Sequence, residues 1–461
     1  MKKAIILGLA ICAGAFGAYK VMEGAEELNA QKAETTRWIE ADSLTAINAR
    51  IAADFPLTRA QVLEAIQQKY PEVTDADIDT FVARHYIEAT VIDGEQRFHR
   101  KAARNIELLN PAYNGGFEHR GASASPQRLS YVDSVLSFYR GTNPEGLAHE
   151  VTYRFTVDVP YCEGIKGDTL RVWMPLPLES NLCGRQSDVQ IVDKSQPDAV
   201  LSGDKSVHNT VFFKAPAPAE GDTAHFEYVG RYVTAGQYVS GADIKANQKP
   251  YDTTSEIYTE YTRLPDGPHI IDMKELAYEI VGEETDPFRQ SELVYDYIIN
   301  RYPWAGAREY STLACIPQYV IDEGHGDCGQ VSLLYISLMR SLGVPARWES
   351  GWMLHPGEVN LHDWAEVYFE GVGWVPVDVS FGRYTGSTDP EVTGFYSHGI
   401  DSYRMASNKG VGGKLYPEKK YVRSETVDFQ LGEVETSKGN LYYPAWSSDL
   451  QVIDVKPVIR K

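Results

Sequence analysis

The chain has 461 residues, 43% of them hydrophobic and 23% charged, with a formal net charge of −20. That length predicts roughly two to four domains, and the composition is that of a folded protein rather than a disordered one. The acidic balance excludes a broad footprint for nucleic acid and argues against docking on an anionic membrane through the body of the protein.

Residues 1–22 read as a secretory signal peptide. MKK supplies a positive start, AIILGLAICAGAFGA an apolar stretch, and Ala15 and Gly17 small residues for cleavage. The stretch is short for a membrane span. The expectation is therefore export from a bacterial cell, to the periplasm, the cell surface or the medium. Two alternatives stay open: a retained signal anchor, and lipidation at Cys12, against which the bulky Ile11 stands. Membrane association is expected only through one of these.

Residues 30–115 read as a helical module. LTRAQVLEAIQQKY has apolar residues at helical spacing with Thr58 as N-cap, and TDADIDTFVARHY repeats the pattern behind Thr74 or Asp75. IEATVIDGEQRFHRK alternates around Asp93-Gly94, a hairpin signal. Helix, helix and hairpin resemble a winged helix. In an exported acidic chain, a structural or partner-docking role is expected rather than DNA binding. GASASPQ, near 121–127, reads as a linker.

Residues 148–245 read as a β-sandwich-like domain, with alternation in HEVTYRFTVDVP, TLRVWMPLP, HNTVFFKAP and AHFEYVGRYV. Cys162 and Cys183 flank a hairpin region there and are candidates for a disulfide in an oxidising compartment. Over 265–385 helices come first and strands follow: KELAYEIVG, RQSELVYDYIINRY and VSLLYISLMRSLG, then ARWESGWML, HDWAEVYF and GWVPVDVS. The expected fold is α+β, a helix packed on an antiparallel sheet. Residues 386–461, rich in Tyr and Gly, read as an extension of this core.

The chemistry centres on GHGDCGQ. Asp327 can cap a helix beginning near Cys328, and Gly343 and Pro345 fit its end. Val331, Leu334, Tyr335, Leu338 and Leu342 give that helix an apolar face. A thiol at a helix N-terminus meets a positive potential and free N–H groups, which favour the thiolate and can hold an oxyanion. A base is needed as well. If HDWAEVYF and GWVPVDVS form a hairpin looped at Phe369, Glu370 and Gly371, His362 faces Asp378 directly. The carboxylate then orients the imidazole toward the thiol, giving a Cys-His-Asp triad. No CxxC, HExxH or other metal-ligand spacing occurs, so no metal site is expected.

DCGQVSLLYISLMRSLGVPAR, HDWAEVYFEGVGW and VPVDVS, in that order, resemble the transglutaminase-like superfamily of papain-fold cysteine enzymes. The resemblance covers about 120 residues; Val379-Ser380 stands where many members have Pro-Thr. It implies Cys328 as nucleophile, His362 as general base and acid, and Asp378 as the orienting carboxylate. It also implies an aromatic or polar group near the oxyanion, for which Trp304, Tyr302 and Gln330 are candidates. Calcium serves some animal relatives, but no loop here has ligand spacing, so no cofactor is expected. The implied substrate is a protein or peptide amide. Peptidase- or amidase-type hydrolysis is the favoured outcome. Acyl transfer to a primary amine, or a scaffold that keeps the fold without turnover, are the alternatives.

Overall fold

The computed structural model describes residues 39–40, 42–122, 124–179 and 183–459. The signal-peptide reading over 1–22, Cys12 and the start of the helical module lie outside them.

The N-terminal module begins with three helices, Ser43–Asp54, Arg59–Gln67 and Asp75–Ala83. Thr58 caps the second through a reciprocal capping box with Gln61, and Thr74 caps the third in the same way with Asp77. The hairpin follows, pairing Ile92 with Glu95. Asp93 and Gly94 sit at φ 52° and 81°, as a two-residue turn of the primed type requires. A fourth helix, Ala102–Leu109, packs back on this unit, and Val62, Ile78, Phe98 and Ile106 form its core.

The stretch read as a linker is shorter than expected. Ser125 accepts from the Arg128 N–H and Pro126 stands at the first helical position, so Pro126–Tyr139 is a helix. Proline at that position starts a helix, which a reading of GASASPQ as loop chemistry misses.

Two sheets form the sandwich. One runs in the order Ser447–Val458, Ala148–Pro160, Thr223–Ala235, Gln186–Lys194. The other includes Thr169–Pro175, Thr210–Pro216 and Glu433–Glu435. The C-terminal residues therefore do more than extend the core. Arg404–Asn408 joins the core sheet beside Ala346–His355, whereas Glu433–Glu435 and Ser447–Val458 complete the sandwich sheets. The last strand alternates exposed and buried residues along its first half, the pattern of a sheet with one covered face.

Cys162 and Cys183 are both free and buried. Cys162 packs in the sandwich core, whereas Cys183 belongs to a separate cluster with Leu178, Trp364 and Ile400. The disulfide reading is corrected accordingly: the chain between them carries each thiol into a different apolar cluster.

In the α+β core, a four-stranded antiparallel sheet runs Gly373–Val377, Glu358–Phe369, Ala346–His355, Arg404–Asn408. The helix Cys328–Ser341 lies against it, and residues 329–340 of that helix are all buried. Its N-cap is Asp327, and Gly343, at φ 76°, supplies the left-handed residue after its end. Ala365, Val367, Val375 and Val377 share an apolar core with Val331, Leu334 and Leu338 of the helix.

Candidate active site

The hairpin carrying His362 and Asp378 closes two residues later in register than the sequence suggested. Phe369 pairs with Gly373 and Ala365 with Val377. The Val372 N–H bonds to the Phe369 carbonyl, and Gly371 and Gly373 take φ of 83° and 106°. Two glycines able to adopt positive φ let Glu370–Val372 form the loop instead of Phe369–Gly371. Because the shift is even, no side chain changes face. Asp378 lies one residue past the end of its strand, and its Oδ2 still lies 2.7 Å from His362 Nε2.

Both groups are buried, His362 to 4% exposure and Asp378 to 0%. Arg404 approaches the same carboxylate oxygen at 3.0 Å and also bonds Asp401 at 2.7 Å. The Ser380 N–H donates to Asp378 Oδ1 at 3.1 Å. Burial works against the Asp378 charge, but His362 and Arg404 outweigh it and hold its carboxyl below the usual range. Burial lowers the His362 pKa, with Asp378 opposing, so the ring is favoured in its neutral form. With Nε2 engaged by Asp378, Nδ1 is the nitrogen left to take a proton. Nothing in the sequence around RMASN marked Arg404. It reaches Asp378 because its strand is the far neighbour of Ala346–His355.

Cys328 is the first residue of its helix and half-buried. Its thiol hydrogen-bonds Asp363 Oδ2 at 3.5 Å rather than the imidazole of the preceding residue. Gln430, from the C-terminal extension, holds the other Asp363 oxygen at 2.7 Å and the His362 carbonyl at 3.1 Å. The helix terminus is not the only influence on the thiol. Burial pushes the Cys328 pKa up, and the carboxylates of Asp363, Asp327 and Asp378 add to it. Asp363 is itself pushed well up, by burial and then by Asp428 and Asp327.

The other candidates fall in different places. Trp304 lines a cavity of about 220 Å³ that also holds Cys328 and Asp363. Tyr302 is buried, and its carbonyl accepts from Arg120. Gln330 is buried; its Oε1 accepts from the Asp327 N–H, completing a capping box, and its Nε2 has no partner among the described residues. Glu366 pairs with Arg347 at 2.5 Å, on the strand face that carries His362. Cys315 is a half-buried free thiol. Among the described residues, no three His, Cys, Asp or Glu side chains are grouped to hold a metal ion. None of their helices is long and apolar enough to cross a membrane.

Residues 274–379 match the family model of the transglutaminase-like superfamily. The chain carries a transglutaminase-like domain. That domain spans the Cys328 helix and the hairpin with His362 and Asp378. The chain is 25% identical over 281 residues to an uncharacterized Haemophilus influenzae protein, covering 54% of this chain and 72% of that one. It is 30% identical over 165 residues to the uncharacterized protein YebA of Bacillus subtilis, covering 30% of this chain and 21% of YebA. Among solved structures it is similar to a Cytophaga hutchinsonii protein provisionally described as a cysteine protease. The identity there is 15% and the TM-score 0.41, covering 67% of this chain and 91% of that one. It is also similar to the periplasmic domain of TgpA from Pseudomonas aeruginosa, at 12% identity and a TM-score of 0.27, covering 58% of this chain and 94% of that domain.

Proposed function

We propose that the protein is an exported bacterial thiol enzyme that cleaves amide bonds in proteins or peptides, with Cys328, His362 and Asp378 as its triad. The observation that carries the reading is the His362–Asp378 hydrogen bond of 2.7 Å, inside a domain that begins its buried helix at Cys328. Asp378 fixes the ring through Nε2. In the structure the thiol meets Asp363, on the strand face opposite the one that carries His362, so this reading requires substrate binding to bring sulfur and ring together, after which the thiol gives its proton to Nδ1. The sulfur attacks the amide carbon. The oxyanion forms beside the N–H groups that open the helix. His362 then returns the proton to the departing amine, leaving a thioester on Cys328. Water, activated by the same imidazole, resolves it to an acid and a free thiol. A primary amine in place of water makes the reaction an acyl transfer.

The test is mass spectrometry of the full chain after exposure to peptide pools, with and without an added primary amine. The expected result is an acyl adduct on Cys328 that decays to free acid, and its absence in Cys328→Ala and His362→Ala proteins. Decay to an amide product whenever amine is present would assign acyl transfer. Iodoacetamide separates both from a scaffold: a wild-type rate equal to that of His362→Ala would overturn the enzyme reading.

A further inference from the structure

The cavity beside Cys328 carries charges of both signs. The N-terminal module brings Arg100, Lys101 and Arg104 to it, and the core adds Arg308. Its carboxyl groups are those of Glu309, Asp327, Asp363, Glu425 and Asp428. The module that looked like a winged helix is thus a wall of the cavity. Its basic residues also differ in how they are used. Arg100 bonds Asp54 at 3.0 Å and also pairs with Glu309. Lys101 Nζ donates to the Ala307 carbonyl at 2.8 Å, a neutral acceptor. Arg104 projects from the helix Ala102–Leu109 with its guanidinium 5.1 Å from the centre of the Trp304 ring. Among the described residues no carboxylate pairs with it.

We propose, building on the amide-cleaving reading, that the substrate carries a free carboxylate beside its scissile amide and that Arg104 receives it, with Lys101 reinforcing the charge. A guanidinium presents a planar fork that matches a carboxylate with two parallel hydrogen bonds. The cation–π contact with Trp304 narrows the positions open to that fork before the ligand arrives. The cavity is smaller than the ~300–1,000 Å³ of drug-sized sites, so it fits one acidic residue with its amide rather than a folded surface. The carboxylate belongs either to an acidic side chain or to a chain terminus.

Binding separates this proposal from the chemistry. The full chain with Cys328→Ala is titrated with Ala-Xaa-Ala peptides in which Xaa is Glu, Gln or Lys, each with a free or amidated C-terminus. The same series is run with Arg104→Ala and with Arg104→Glu added. The expected result is binding tighter by about tenfold to a hundredfold for the carboxylate-bearing member of a matched pair, the range for a hydrogen bond to a charged group. Arg104→Ala should bring that ratio near one, and Arg104→Glu should favour the Lys peptide. The Glu/Gln pair reports a side-chain carboxylate, and the free-acid/amide pair a terminal one. Equal or undetectable binding of acid and amide peptides, or a ratio unchanged by Arg104→Ala, overturns the proposal. Failure of the amide-cleaving reading shows separately, as no acyl adduct on Cys328 in the native chain.

Discussion

The Cys328 thiol hydrogen-bonds Asp363 at 3.5 Å, and Asp363 is the residue next to His362. Neighbours in an extended strand point to opposite faces, so one dipeptide sends a carboxyl group to the sulfur and an imidazole to Asp378. The acid beside the thiol has a folded pKa well above its ordinary value. It is neutral at low pH and becomes an anion only as pH rises, when it opposes the thiolate. Asp363→Asn should therefore alkylate with iodoacetamide at nearly the wild-type rate on the acid side. On the alkaline side it should react faster by up to about tenfold, the equivalent of one pKa unit on the sulfur. A pH series of alkylation rates reads this. A variant slower than wild type throughout would make Asp363 a support of the thiolate instead.

The bond from Asp378 to His362 orients the ring through Nε2. Asp378→Asn keeps the size of the side chain but lets an amide N–H face the ring, which favours the wrong tautomer. The expectation is a fall in kcat of about 10²–10⁴, the span of general acid–base contributions, with a smaller change in KM. Steady-state kinetics on any peptide that acylates Cys328 checks it.

Arg404 is fully buried between two buried carboxylates, Asp378 at 3.0 Å and Asp401 at 2.7 Å. Arg404→Met leaves both acids without their cation. Breaking a buried ion pair from one side costs about 3–5 kcal/mol. Urea unfolding at neutral pH should show a loss in that range. A loss below about 1 kcal/mol, the scale of a surface pair, would mean that water reaches the site.

His325 is 2% exposed, its Nδ1 has no partner among the described residues, and burial pushes its pKa down to about 4. The unfolded chain takes up this proton near pH 6.5 and the folded chain only near 4. The stabilisation is thus whole above pH 6.5 and lost as pH falls toward 4, by up to about 3 kcal/mol. His325→Gln cannot titrate, so its unfolding free energy should vary less with pH over that window. Urea midpoints at pH 7.5 and 4.5 for both proteins test this, and parallel slopes would refute it.

Much of the local structure was legible along the chain. Thr58, Thr74 and Asp327 capped where their hydroxyl or carboxylate could satisfy open N–H groups. Asp93-Gly94 turned because both residues took positive φ. The order of the Cys, His and Asp blocks was enough to mark the transglutaminase-like domain. These features depend on chemistry within a few residues or on the order of motifs, and both are written in one dimension. The electrostatics of Cys328, the clamp of Arg404 on Asp378 and the basic wall from Arg100 to Arg104 were not legible. Each joins groups far apart in sequence. A charge acts through distance in space, and only packing of the extension and the N-terminal module against the core sets that distance. The fate of Cys162 and Cys183 followed the same logic: their separation along the chain allowed a bond, and their assignment to different buried clusters left both thiols free.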